Sequence, residues 1–116
     1  MRVLFDQGTP VPLRNYLGEH EVATAAEMGW STLSNGELLD AAEKEFDLLI
    51  TTDQALRTQQ NLPGRKLAVL ILPFASWPRL KPNAEKIVSR VAALRAGEYA
   101  ELHLNSLDTR ADESEI

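Results

Sequence analysis

Residues 47–54 read DLLITTDQ: an apolar run, two threonines, then a carboxylate at Asp53. The chain opens on the same plan, RVLFDQ, in which Val3, Leu4 and Phe5 run into Asp6. Short apolar runs bounded by polar residues read as strands. Because residues 47–52 are almost continuously apolar rather than alternating, they predict a parallel strand covered on both faces. Two strands of this kind, each carrying an acid at its far end, frame both the fold and the site.

Outward from this stretch the pattern alternates. Thr9-Pro10 and Pro12 lead into a helix expected over 11–18, ended by Gly18. A second strand is expected over 21–25. Ser34-x-x-Glu37 has the form of a capping box, and Leu38, Leu39, Ala42 and Phe46 recur at helical spacing, so a helix is expected over 34–46. A short helix over 54–60 follows the third strand, ended by Asn61-Leu62-Pro63-Gly64. Residues 67–72 make a fourth strand, again continuously apolar. Residues 73–82, with Pro73, Pro78 and Pro82, read as a loop. Asn83 is the expected cap of a helix that Gly97 closes, with Ile87, Val88, Val91 and Leu94 on one face. Residues 99–104 make a fifth strand.

Strict β/α alternation predicts a three-layer α/β/α domain over 1–107, with a mostly parallel central sheet of about five strands. The acidic tail, 108–116, is expected to be disordered. Right-handed crossovers and a doubly wound order would make strands one and three neighbours at the switch point, where ligands bind beyond the carboxyl ends of strands. Asp6 and Asp53 should therefore meet.

Composition bounds the chemistry. The 116 residues are 44% hydrophobic and 25% charged, as in ordinary globular proteins. No apolar run nears the ~20 residues of a membrane span, and Asp6 breaks the only apolar run near the start, so a cytoplasmic location is expected. The absence of cysteine excludes disulfides, thiolate catalysis and Cys-ligated zinc. The net charge of -5 hides a division. Between Glu19 and Asp53 lie nine acids and one base, Lys44; between Gln54 and Ala96 lie eight bases and one acid, Glu85. Folding either gives the molecule an acidic and a basic surface or interleaves the two halves.

Two converging carboxylates repel unless a proton or a cation sits between them. Oxygen donors without cysteine or paired histidine favour Mg²⁺ or Mn²⁺, which lowers the pKa of bound water and neutralises phosphodiester charge. Glu37, in the first turn of its helix, is the candidate third acid. Each residue also has a structural alternative: an Asx-turn for Asp6, a helix cap for Asp53, the capping box for Glu37. His20 and His103 are too far apart in the pattern to pair. Trp30 and Trp77 read as loop residues that close the core or meet a second copy in a homodimer. Arg57 and the Arg65-Lys66 pair are candidate phosphate-binding residues, with solvated surface as the alternative.

The segments RVLFDQGTPVPL, GEHEVATAAEMGW, SNGELLDAA and DLLITTDQAL, covering residues 2–56, resemble the PIN-like nuclease domains. The small stand-alone bacterial and archaeal proteins encoded beside an antitoxin are the most similar group. The resemblance implies a metal-dependent endoribonuclease, the toxin of a toxin–antitoxin pair. It further implies an RNA substrate, a protein antitoxin as partner, and Asp6, Glu37 and Asp53 around Mg²⁺ or Mn²⁺. The chain departs from that pattern at Gln7, Asn35 and Ala55, where acids are usual. Gln7 and Asn35 would be auxiliary ligands through their amide oxygens. These departures motivate an alternative, a catalytically weakened PIN-like binding or regulatory protein. A remoter alternative is a receiver-like phospho-Asp module, with Asp53 as acceptor and Lys81-Pro82 standing for the receiver's Lys-Pro.

Overall fold

The computed structural model describes residues 1–56 and 65–103. It contains β1 (Arg2–Phe5), a 3-10 helix (Val11–Tyr16), β2 (Glu21–Thr24), α1 (Asn35–Glu45), β3 (Leu48–Thr51), β4 (Ala68–Ile71), α2 (Trp77–Leu80), a 3-10 turn (Lys81–Asn83), α3 (Ala84–Ala93) and β5 (Tyr99–Glu101). The five strands form one sheet in the order β2-β1-β3-β4-β5. Every neighbouring pair is parallel. The expected three-layer α/β/α architecture is thus present, and β1 and β3 are neighbours.

Side-chain alternation along buried strands splits the core in two. On one face Val3, Phe5, Leu48, Ile50, Ala68 and Leu70 pack under the 3-10 helix and α3, through Leu13, Leu17, Ile87 and Val91. On the other, Leu4, Leu49, Val69 and Ile71 pack under α1, through Leu38, Leu39, Ala42 and Phe46. All four residues of β3 and of β4 are buried, as their unbroken apolar sequences require. Each large side chain so enclosed contributes about 1.5–3 kcal/mol of transfer free energy.

Crossover hand departs from expectation. The β1–β2 and β4–β5 steps run in opposite directions across the sheet, yet their helical segments cover the same face. They are therefore of opposite hand. The β2–β3 step, covered by α1 on the other face, shares the hand of β1–β2. A uniformly right-handed winding would have laid α3 beside α1; here it lies on the far side of the sheet.

Other corrections are local. The segment expected as an α-helix over 11–18 is a 3-10 helix ending at Tyr16. Part of the expected loop over 73–82 is helical. Pro78 and Pro82 fall in the first turns of α2 and of the 3-10 turn, where a missing N–H costs nothing. Asn83 makes no capping bond; its Nδ2 instead donates to the Arg79 carbonyl at 3.2 Å. Trp77 therefore starts a helix, with its ring 5.6 Å from that of Tyr16, while Trp30 meets Phe46 edge-on at 6.0 Å. The fifth strand, expected over 99–104, ends at Glu101, with Leu102 and His103 beyond it. The expected helix beyond Leu56 and the acidic tail lie outside the described residues. Among those described, no helix is long and apolar enough to cross a membrane.

β2 is an edge strand, and several of its outward backbone groups are occupied. Arg14 Nη2 donates to the Val22 carbonyl at 3.1 Å, and the Thr24 N–H donates to Glu27 Oε1 at 3.0 Å. Arg14 and Glu27 are themselves joined by a two-pronged ion pair. The pair stands in for a sixth strand and blunts an edge that would otherwise recruit one. Hydrogen bonds from Arg14, and then from the Thr24 amide, hold the Glu27 carboxyl below the usual range. A depressed carboxyl pKa gives stability that is present above its ordinary value of 4.5 and lost as pH falls through the folded value. Glu27→Ala is therefore expected to associate in a concentration-dependent way, read by sedimentation velocity. Sedimentation identical to the parent's at matched concentration would show that this edge needs no guard.

Candidate functional site

The register between β1 and β3 builds the site. Val3, Leu4 and Phe5 pair with Leu48, Leu49 and Ile50, and the Asp6 N–H extends the ladder by donating to the Ile50 carbonyl at 3.0 Å. Asp6 thus leaves β1 beside the end of β3, where Thr51 is fully buried. Thr51 Oγ1 donates to Asp6 Oδ2 at 2.7 Å and accepts from the Asp53 N–H at 3.1 Å. One buried hydroxyl therefore ties both acids to a common point. Thr9, also buried, donates its hydroxyl to the Ile50 carbonyl at 2.9 Å and fastens the loop after β1 over the same edge. Gly8, at φ +98°, makes the turn into that loop, a conformation that favours glycine.

The remaining partners are local. Asp6 Oδ1 accepts from the Gln7 N–H at 2.7 Å, and Asp53 Oδ1 from the Ala55 N–H at 3.0 Å. The second is an Asx-turn bond. Asn35, first residue of α1, donates from Nδ2 to Asp53 Oδ2 at 2.9 Å. The helix start is so placed because Ser34 and Glu37 complete the capping box: Ser34 Oγ accepts from the Glu37 N–H at 3.3 Å and Glu37 Oε1 from the Ser34 N–H at 2.9 Å. Gln54 Nε2 donates to the Leu72 carbonyl, pinning the turn after β3 to the end of β4.

Of the three predicted acids, two are brought together. Asp6 and Asp53 share Thr51, and Asp6 senses the charge of Asp53. Burial, opposed by the bonds from Thr51 and Gln7 and helped by Asp53's negative charge, raises the Asp6 carboxyl above its ordinary value of 3.8. Glu37 is exposed and engaged at the cap, and no group of three or more His, Cys, Asp or Glu side chains able to hold a metal occurs among the described residues. Asn35 reaches Asp53 with its amide nitrogen rather than its oxygen. Gln7 contributes its backbone N–H, with its side chain exposed. His20 lies 3.5 Å from the N-terminal amine, away from both acids.

The candidate phosphate-binding residues are elsewhere. Arg65 and Lys66 precede β4, at the amino-terminal edge of the sheet, opposite the edge that carries the acids. Arg65 is engaged by Asp40 at 2.9 Å and Glu43 at 3.1 Å, and the Lys66 N–H donates to Glu43. They fasten α1 to the sheet instead of meeting a ligand at the acids. Arg57 lies outside the described residues. Thr51, which joins the two acids, carries a single sequence signal: a threonine at the end of a run otherwise buried and apolar.

The donor set fits one hydrated hard cation. Among the described residues each of the four carboxylate oxygens accepts a hydrogen bond, and an ionised oxygen has two lone-pair sites. One or two carboxylates with retained waters is the usual complement of Mg²⁺.

A raised carboxyl pKa means that the folded state binds the proton more tightly than the unfolded one. Ionising Asp6 therefore costs stability as pH climbs from its ordinary value through the folded value, and the cost is full above that. Asp6→Asn keeps the acceptor for Gln7 and removes the charge. Its melting temperature is expected to exceed the parent's by a few degrees at neutral pH, with the gap closing in acid. A variant less stable than the parent at neutral pH would show that the carboxylate is not under electrostatic load.

No family model, curated protein or solved structure matches the chain in comparison with all three.

Proposed function

We propose that the protein is a divalent-cation-dependent endoribonuclease of the PIN-like kind. The observation that carries this reading is the junction of Asp6 and Asp53 through Thr51, at the carboxyl edge of two adjacent parallel strands. In open α/β sheets that edge is where ligands are held. Asp6 and Asp53 would hold Mg²⁺ or Mn²⁺, which when bound supplies Lewis-acid activation of water and neutralises charge on a scissile phosphodiester.

The chain's own residues prepare that chemistry. Thr51 holds the Asp6 carboxylate and the Asp53 backbone, while Asn35 and the Ala55 N–H hold the Asp53 carboxylate, so little side-chain freedom would be lost when a cation arrives. Asn35 orients Asp53 without adding negative charge. The half-buried setting of Asp6 strengthens its attraction for a cation, since low dielectric works for a paired charge as it works against an unpaired one. The resemblance to stand-alone PIN-like proteins supports a toxin role with a protein antitoxin, in the cytoplasm.

A second reading is favoured by one observation: Glu37 is spent on the helix cap and Asn35 is an amide, so the site has two acids where nucleases of this kind gather more. On that reading the protein is a PIN-like binding or regulatory module. The winding speaks against the receiver-like reading. Receivers share this strand order, but uniform right-handed winding would put the β4–β5 helix on α1's face. Lys81 also follows β4 and α2 rather than the fifth strand.

Pure protein incubated with mixed-sequence RNA and Mn²⁺ is expected to cleave it, with loss of about 10²-fold or more in Asp53→Asn and abolition by chelator. Mn²⁺ is expected to raise the parent's melting temperature and to leave Asp6→Asn unmoved. A Mn²⁺ shift without cleavage of any RNA would favour the regulatory reading, and cleavage that survives both controls would be contamination.

A further inference from the structure

We propose that the solvent face of the α2–α3 layer binds single-stranded RNA and leads it to the edge that carries Asp6 and Asp53. The unusual hand of the β4–β5 crossover puts this layer on the opposite side of the sheet from α1. The two layers differ in charge. α1 presents Glu37, Asp40, Glu43 and Glu45 with one base, Lys44. From Trp77 to Ala96 the chain carries Arg79, Lys81, Lys86, Arg90 and Arg95, all exposed, with one acid, Glu85. A chain that is acidic overall thus keeps one basic face, and a shallow depression on it is lined by Glu85, Lys86, Ser89, Arg90 and Ala93.

Charge alone would serve any polyanion. The aromatic side chains favour a nucleic acid whose bases are unpaired. Phe74 and Trp77 pack in part against the core and are half-buried; the Arg79 guanidinium lies over the Phe74 ring at 3.9 Å, and Trp77 meets the exposed Tyr16. Flat rings interleaved with cations are the means by which proteins hold single strands: phosphates on the bases of the protein, nucleobases on its aromatics. An acidic peptide would be held by the cations alone unless it carried apolar side chains for the rings, whereas every nucleobase offers a flat face. The face is also continuous with the site. Leu72, whose carbonyl takes the Gln54 bond next to Asp53, is followed directly by the segment that carries Phe74 and Trp77.

The choice of RNA rests on the nuclease reading; the basic face does not. Binding is therefore measured apart from cleavage, using full-length Asp53→Asn in EDTA and a fluorescein-labelled single-stranded RNA, by anisotropy. With three to five phosphates neutralised, log affinity is expected to fall against log salt with a slope of about −2 to −3.5 between about 50 and 200 mM. Lys86→Glu with Arg90→Glu is expected to weaken binding at least about tenfold and to flatten the slope by about 1.4, two phosphates' worth. Lys44→Ala, on the acidic layer, is expected to change neither. In a Trp30→Phe background RNA is expected to quench the remaining tryptophan, Trp77.

Charge reversal without effect on affinity, or an unquenched Trp77, overturns the proposal. Polyglutamate that displaces RNA at equal charge concentration also overturns it, in favour of an acidic protein partner. Cleavage by the parent with Mn²⁺ is scored separately: cleavage retained by the reversed-charge variant sinks the face alone, and binding without any cleavage sinks the nuclease and leaves the face standing.

Discussion

The parallel pairing of β1 with β3 is the constraint on which the rest of the molecule depends. It is fixed by packing: a one-residue slip of β1 would send Val3 and Phe5 into the core that holds Leu4, and Leu4 into theirs, and exchange the packing partners of each. Both strands are apolar on both faces, so the size and shape of these side chains, rather than a polar alternation, set the register. The acids at their ends inherit that certainty. Asp6 is held by a backbone bond within the ladder itself, and Thr51 holds the second acid to the first. A core thus dictates the separation of two charges that it would never accept inside.

The site sits where stability and chemistry pull apart. Asp6 is drawn toward protonation by burial and by Asp53, and two donors resist that pull without cancelling it. Such a group is tolerated only because the surrounding structure is over-determined. The neutral Asn35 beside Asp53 lightens the same load. Where a third acid would add repulsion, an amide donates a hydrogen bond.

The amino-acid sequence made the sheet legible and the surface less so. β3 and β4 could be read because burial on both faces leaves a single polar residue, Thr51, within the two apolar runs, and α1 because Ser34 and Glu37 mark its start. Residues 73–82 misled because proline punctuates chains in two ways: it breaks helices inside and begins them at the first turn, and spacing alone does not tell which. The meeting of Asp6 and Asp53 followed from topology. Glu37's engagement at the cap, the Thr51 bridge and the placing of Arg65 against Asp40 and Glu43 depend on side-chain directions that no one-dimensional pattern carries. The hand of the last crossover was equally hidden. It decided whether the acids of α1 and the bases of α2 and α3 would share a face; among the described residues they lie on opposite faces, while Arg65 and Lys66 sit with the acids.

Opposed layers of opposite sign have a consequence for the molecule in company. The surface most complementary to the α3 side of one copy is the α1 side of another, and the two are not related by a dyad. Contacts of that sort would be head-to-tail: they would close into a ring or run on as an open stack according to the rotation between copies, and would not stop at a two-fold pair. Counter-ions weaken them, since such attraction decays over roughly 10 Å at moderate ionic strength. A polyanion lying along the basic side would do the same by occupying it, so that ligand and self-stacking compete for one surface.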